Sequence, residues 1–167
     1  RNPELAAAVQ NENFRKAIFA AIDAVTLSAI YEPKNPAFFT RYTLLPEGCM
    51  FDADGTDYTD YGRLKDYKNT DPFNAEQALA NMQAAVAELV EADGVTLKGV
   101  TPGKVDMLPI NEWDVDGKLP IDIVYSSGTS ESEMKKAELV KNMLETYLGK
   151  ENVNIILGFP ANDFSAE

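Results

Sequence analysis

Between residues 119 and 160 the chain carries two short apolar stretches separated by a helical period, and few folds accommodate that order. Leu119-Pro120-Ile121-Asp122-Ile123-Val124-Tyr125 alternates apolar and polar before turning apolar, which is the pattern of a strand. Ser126-Ser127-Gly128-Thr129 breaks that pattern. Beyond it Met134, Ala137, Val140, Leu144 and Tyr147 or Leu148 recur at the spacing of an amphipathic helix, with Lys141 on the flank. Ser130 stands at the N-cap and Glu133, three residues on, completes a capping box. Gly149 supplies the left-handed residue that ends the helix. Val153-Asn154-Ile155-Ile156-Leu157, bounded by Gly158 and Pro160, is too short for a helix and reads as a buried strand. Two strands joined through a helix of this length are predicted to be parallel with a right-handed crossover, so the chain falls in the α/β class.

That unit also predicts where a ligand goes. In open α/β sheets, ligands collect beyond the carboxyl ends of the strands, where helix N-termini point. Those ends are residues 125–131 and 158–164. The hydroxyls of Ser126, Ser127, Thr129 and Ser130, with the backbone N–H groups at the helix start, suit a carboxylate or a peptide carbonyl. The plainer reading of the same cluster is an ordinary helix cap.

Charge and composition exclude several functions. Acidic residues number 27 against 15 basic ones, a formal charge of −12 with no basic block, so nucleic acid is not an expected partner. No run approaches the roughly 18 to 20 apolar residues of a membrane helix, and the start lacks a signal-peptide pattern. Arg1 in place of an initiator Met suggests a processed or excised piece. With 167 residues the chain can build one core, and a single domain over 1–167 is expected. Cys49 is the one cysteine and histidine is absent. An internal disulfide is therefore impossible, the common His/Cys metal sets are missing, and no histidine base serves a nucleophile. No metal or cofactor is expected.

Upstream, Asn11 is a plausible N-cap for a helix over 11–31 that carries Phe14, Ala17, Ile18, Ala21, Ile22 and Val25 on one face. Residues 32–70 show prolines, glycines and seven aromatic residues without a period. A stretch of that length is usually functional or draped over another part of the protein. Asp71-Pro72 then opens a helix over 71–93, Asp as N-cap and Pro at the first helical position, with Ala78, Leu79, Met82, Ala85, Val86, Leu89 and Val90 as its stripe and Gly94 closing it. Short extended pieces such as 104–109 and a turn at 114–118 lead into the 119–158 unit.

Other constellations are weaker. Asp52, Asp54, Asp57 and Asp60 invite a calcium reading, but an EF-hand counted from Asp52 places Asp57 at the glycine position and Arg63 at the bidentate glutamate. A solvated acidic loop is the expectation. Carboxylate pairs are too numerous to single out a glycosidase-like site, and the serine cluster has no base beside it.

Four segments resemble the extracytoplasmic solute-binding proteins of oligopeptide and dipeptide ABC importers. Residues 11–18, Asn-Glu-Asn-Phe-Arg-Lys-Ala-Ile, followed by Ala21-Ile22-Asp23, resemble the family's D-x-x-V-R-x-A-I-x-x-A-I-D helix. Leu45-Pro46-Glu47-Gly48 is similar to its hydrophobic-Pro-Pro-Gly turn, with Glu47 in place of the second proline. Asp71-Pro72-Phe73-Asn74-Ala75 resembles the Y-D-P-x-x-A start of the next helix, with Thr70 in place of the aromatic. The strand at 119–125, Leu148-Gly149 and Val153-Asn154-Ile155 match the final unit.

The resemblance implies part of one lobe of a periplasmic-binding-protein-like type II fold, non-catalytic, closing by hinge motion on an oligopeptide. It implies a ligand cleft formed by Tyr125, Ser126, Ser127 and Glu131 from one loop and Gly158, Phe159 and Pro160 from the other. It further implies a membrane permease as partner, a monomer, and an extracytoplasmic location with a lipid anchor in the full-length parent. Two other classes stay open: an extracellular carboxylate-dependent hydrolase module, and an interaction domain that uses the aromatic loop at 38–51.

Overall fold

A computed structural model describes residues 3–68, 70–94, 96–100, 121–126 and 128–158, with the backbone alone at 3–4, 39 and 121–126. In chain order the helices and strands are α1 (Pro3–Ala8), α2 (Glu12–Ala21), α3 (Ala24–Ser28), α4 (Leu64–Tyr67), α5 (Ala75–Leu89), β1 (Ile121–Ser126), α6 (Glu131–Leu148) and β2 (Val153–Gly158). The chain groups into two compact units, one of Arg1–Asp23 with Asn74–Glu167, the other of Ala24–Phe73.

In the first unit β1 and β2 pair in parallel, Ile121 opposite Val153 through Ser126 opposite Gly158, with α6 as the connection. Ser130 caps α6 in a full capping box, and Gly149 ends the helix at φ 87°. The carboxamide of Asn152 donates to the Leu148 carbonyl at 2.7 Å, so one of the helix's orphan acceptors is satisfied by the turn that follows. Ala137, Val140, Met143, Leu144 and Leu148 are buried with Val153, Ile155 and Ile156 of β2. The predicted βαβ stretch thus folds as its periodicity requires.

Two helices complete this core. Asn11 caps α2 by accepting from the Phe14 N–H at 2.9 Å, and Phe14, Ala17, Ala20 and Ala21 are buried. Ala78, Met82 and Ala85 of α5 are buried as well, and α5 packs against α2. Small residues on both faces let the two backbones approach closely. Their ends are joined by polar groups: Asn11 and Asn13 donate to the two oxygens of Glu88 at 2.7 and 2.9 Å, and the Asn74 N–H donates to the Ala20 carbonyl at 2.9 Å. The pair is therefore antiparallel.

The same contacts correct the expected helix boundaries. The helix over 11–31 breaks at Ile22, which is extended at φ −92°, ψ 107°. The Ala20 carbonyl would accept from residue 24 in a continuous helix, but the arriving Asn74 engages it, and a separate α3 begins at Ala24. The helix over 71–93 starts later and stops earlier. Asn74, whose side chain accepts from Gln77 N–H, is the N-cap, while Asp71 accepts from the Phe73 N–H at 2.9 Å in a turn before it. Val90 then leaves the helix to bridge Leu97 in antiparallel fashion, and Gly94, at φ 79°, serves the tight turn between them. Lys98 Nζ closes the end of α5 on the carbonyls of Ala87 and Glu88. The extended pieces expected at 104–109 and the turn at 114–118 lie outside the described residues.

The second unit is mostly irregular, as the missing period predicts, with 3-10 turns at Pro36–Phe39 and Tyr58–Asp60 and the short α4. Its described side chains bury Asp57 and Thr59. Every fully buried apolar side chain described belongs to the first unit, whereas Phe38, Leu44, Met50 and Phe51 stand exposed, Leu44 at 96%.

Candidate ligand-binding site

The candidate site is defined by register and by the length of one loop. Ser126 and Gly158 are opposite one another at the carboxyl ends of β1 and β2, so the two predicted loops leave the sheet side by side. Four residues separate β1 from Glu131, the first residue of α6, which brings the helix N-terminus to the same end. Tyr125, Ser126 and Gly158 are thereby placed at this end by their backbone, and Glu131 at the start of the helix. Ser127, Phe159 and Pro160 lie outside the described residues.

Two carboxylates stand at the start of α6. The Glu133 carboxylate folds back onto Ser130, accepting from its N–H at 3.2 Å and from its hydroxyl, while the Ser130 Oγ accepts from the Glu133 N–H at 3.3 Å. Those bonds hold the Glu133 carboxyl below its ordinary range, first through the Ser130 side chain and then its backbone. Glu131 pairs with Lys135 at 2.6 Å, which lowers the Glu131 carboxyl and raises the lysine. The positive end of α6 is thus occupied by one carboxylate and flanked by another. A ligand carboxylate would meet repulsion there, whereas a neutral peptide carbonyl or a cationic group would not. The Ser130 hydroxyl and amide are thus engaged in the cap, the plainer reading of this cluster.

Gly128 is a residue whose role here the sequence does not announce. A Cβ built on it would lie 2.4 Å from the Glu133 carboxylate, so the glycine leaves the space in which Glu133 folds back. A Gly five residues before a Glu inside a serine-rich loop is a signal only once the capping box is known to be closed.

The acidic loop is organised by its own amides. Asp52 accepts from the N–H groups of Asp54 and Thr56 at 2.8 and 3.0 Å. Asp57 accepts from Gly48 N–H at 2.5 Å and from both the N–H and the hydroxyl of Thr59 at 2.8 and 2.7 Å. Asp60 and Glu47 both take Lys68, at 2.6 and 3.1 Å. The expectation of a solvated loop is corrected at Asp57, whose carboxylate is buried because three donors replace its water. Among the described residues no group of three or more His, Cys, Asp or Glu is disposed to hold a metal ion. Cys49 is exposed in the same loop. Among the described residues no helix is long and apolar enough to cross a membrane.

This order of helices around a parallel βαβ unit is shared with the substrate-binding proteins of oligopeptide ABC transporters. The chain is similar over 92% of its length to the substrate-binding domain of an oligopeptide ABC transporter from Bacillus anthracis, at 21% identity and a TM-score of 0.60. Over 91% it is similar to Listeria monocytogenes OppA bound to peptide, at 20% identity and a TM-score of 0.58. Over 95% it is similar to the pheromone receptor PrgZ, at 22% identity and a TM-score of 0.56. It spans 23%, 23% and 24% of those three chains, about a quarter of each. No protein-family model and no curated protein matches it in sequence.

Proposed function

We propose that this chain is part of one lobe of an extracytoplasmic, type II solute-binding protein that captures oligopeptides for an ABC importer without catalysing a reaction. The observation that carries this reading is the convergence at one sheet end of the Ser126–Gly158 register pair and the α6 N-terminus, in a fold shared with peptide-binding proteins. On this reading Tyr125, Ser126, Ser127 and Glu131 line one side of the cleft and Gly158, Phe159 and Pro160 the other. Strand-end backbone groups bind a peptide main chain irrespective of its sequence, and the acid-flanked helix start favours neutral or cationic parts of it. A second lobe closes over the ligand by hinge motion. A membrane permease receives the peptide, and a lipid anchor holds the monomeric parent at the cell surface.

Isothermal titration with a mixed pool of short peptides tests this, using the chain and the longer protein that contains it. Binding heat in the longer protein that weakens or vanishes in the chain alone is the expected outcome, since closure buries the ligand from both sides. Absence of heat in both would reject the peptide reading. A second reading is favoured by the exposure of Phe38, Leu44, Met50 and Phe51, which suits a protein-interaction surface at 38–51. Substituting Leu44 and Phe51 by serine leaves peptide heat unchanged if the cleft reading holds.

A further inference from the structure

We propose that Lys141 and Glu145 of α6 guard the outer edge of β2, closing it to strand addition by a second copy of this chain. In a parallel ladder the N–H and C=O of one residue point to the same side, so alternate residues of β2 face β1 and the others face outward. Ile155 faces outward: its N–H is taken by Glu145 Oε1 at 3.2 Å and its carbonyl by Lys141 Nζ at 2.5 Å. The two side chains also bond each other at 2.5 Å, one helical turn apart. Val153, of the same parity, sends its N–H to the Gly149 carbonyl at 3.3 Å.

The Val153 amide and both backbone groups of Ile155 are thus spent on the protein's own groups. An incoming strand needs successive outward residues with free N–H and C=O groups. Leu157 alone cannot anchor one.

The arrangement is more costly than a tether requires. Glu145 is 9% exposed, so its carboxylate is largely removed from water, while Lys141 keeps 33% of its side chain exposed, and a partly buried ion pair is a poor source of stability compared with apolar residues of similar volume. A leucine and a methionine at these positions would keep apolar packing of α6 on β2, yet would leave the buried Ile155 amide and carbonyl without partners. What the pair adds is closure of the edge.

The double variant K141M/E145L tests this in the whole chain, with helical circular dichroism confirming the fold. Amide exchange at Ile155 and the molecular mass from light scattering are followed over a concentration series. In the parent chain the Ile155 amide is protected at every concentration. In the variant it exchanges roughly tenfold faster or more when dilute, the mass rises with concentration, and protection returns as it does so. Unchanged protection in the dilute variant overturns the proposal, as does a freed amide without any concentration dependence, which would leave the pair a tether only. Should the double variant lose its helical signal, K141A/E145A, which frees the same amide and carbonyl with less bulk on the helix, is expected to associate by the same edge. A folded K141A/E145A that stays at the parent's mass at all concentrations also overturns the proposal. Glu145→Gln, which keeps an acceptor for the Ile155 amide, is expected to retain protection.

Discussion

Asp57 joins two ends of one loop through a single carboxylate. Its three bonds to Gly48 and Thr59 lower the carboxyl below its ordinary range, the Thr59 hydroxyl contributing most, then the Thr59 and Gly48 amides, with Lys68 adding a weaker attraction. A depressed folded value means that the unfolded chain binds the proton more readily. The contribution of Asp57 is therefore complete above the ordinary aspartate value of ~3.9 and is lost as pH falls below it through the folded value. Amide exchange at Gly48 and Thr59 should rise over that acid range, and Asp57→Asn should raise it at neutral pH and remove the acid dependence. A profile in the variant that matches the parent would sink the assignment. The residue could not have been picked out of the sequence. Asp52, Asp54, Asp57 and Asp60 are equivalent as letters, and what separates Asp57 is that Gly48, nine positions away, returns to it only in the folded loop.

Elements were legible where the code is local. The α6 capping box, the Gly149 stop and the parallel strands follow from residues within a few positions of each other, and all are present. Ser130→Ala should cost about 1 kcal/mol in urea unfolding. Because Ser130 and Glu133 satisfy one another, Ser130→Ala combined with Glu133→Ala should cost less than the two single changes added, and strict additivity would show that the box does not act as a unit. Boundaries decided by distant residues were not legible. The end of α2 depends on Asn74, and the end of α5 on the pairing of Val90 with Leu97, neither of which leaves a mark in the local pattern. The strand-end location of the candidate site follows from topology, whereas the engagement of the Ser130 hydroxyl depends on where the Glu133 side chain turns. The sequence offered both a cap and a ligand-binding loop for the same hydroxyls, and only the folded geometry shows the cap already taken up.

At the scale of the whole molecule the two units differ in what holds them. Buried apolar side chains fill the first, while the second relies on Asp57, on the Tyr58 hydroxyl that bonds both the N–H and the carbonyl of Leu45, and on the Lys68 pairs. Polar bonds near water open more readily than a packed core. Limited proteolysis should therefore nick residues 41–67 before any site in α2, α5 or α6, with mass spectrometry of the first fragments as the check; early cuts in α5 would contradict it. The single bond from Asn74 N–H to the Ala20 carbonyl has a consequence for engineering. It brings the place where the chain departs from the first unit next to the place where it returns, so the 50 residues of Ala24–Phe73 form a detour whose two feet touch. Such a detour is a natural graft point: a short glycine-rich link or a foreign loop in its place has only a short gap to span between α2 and α5.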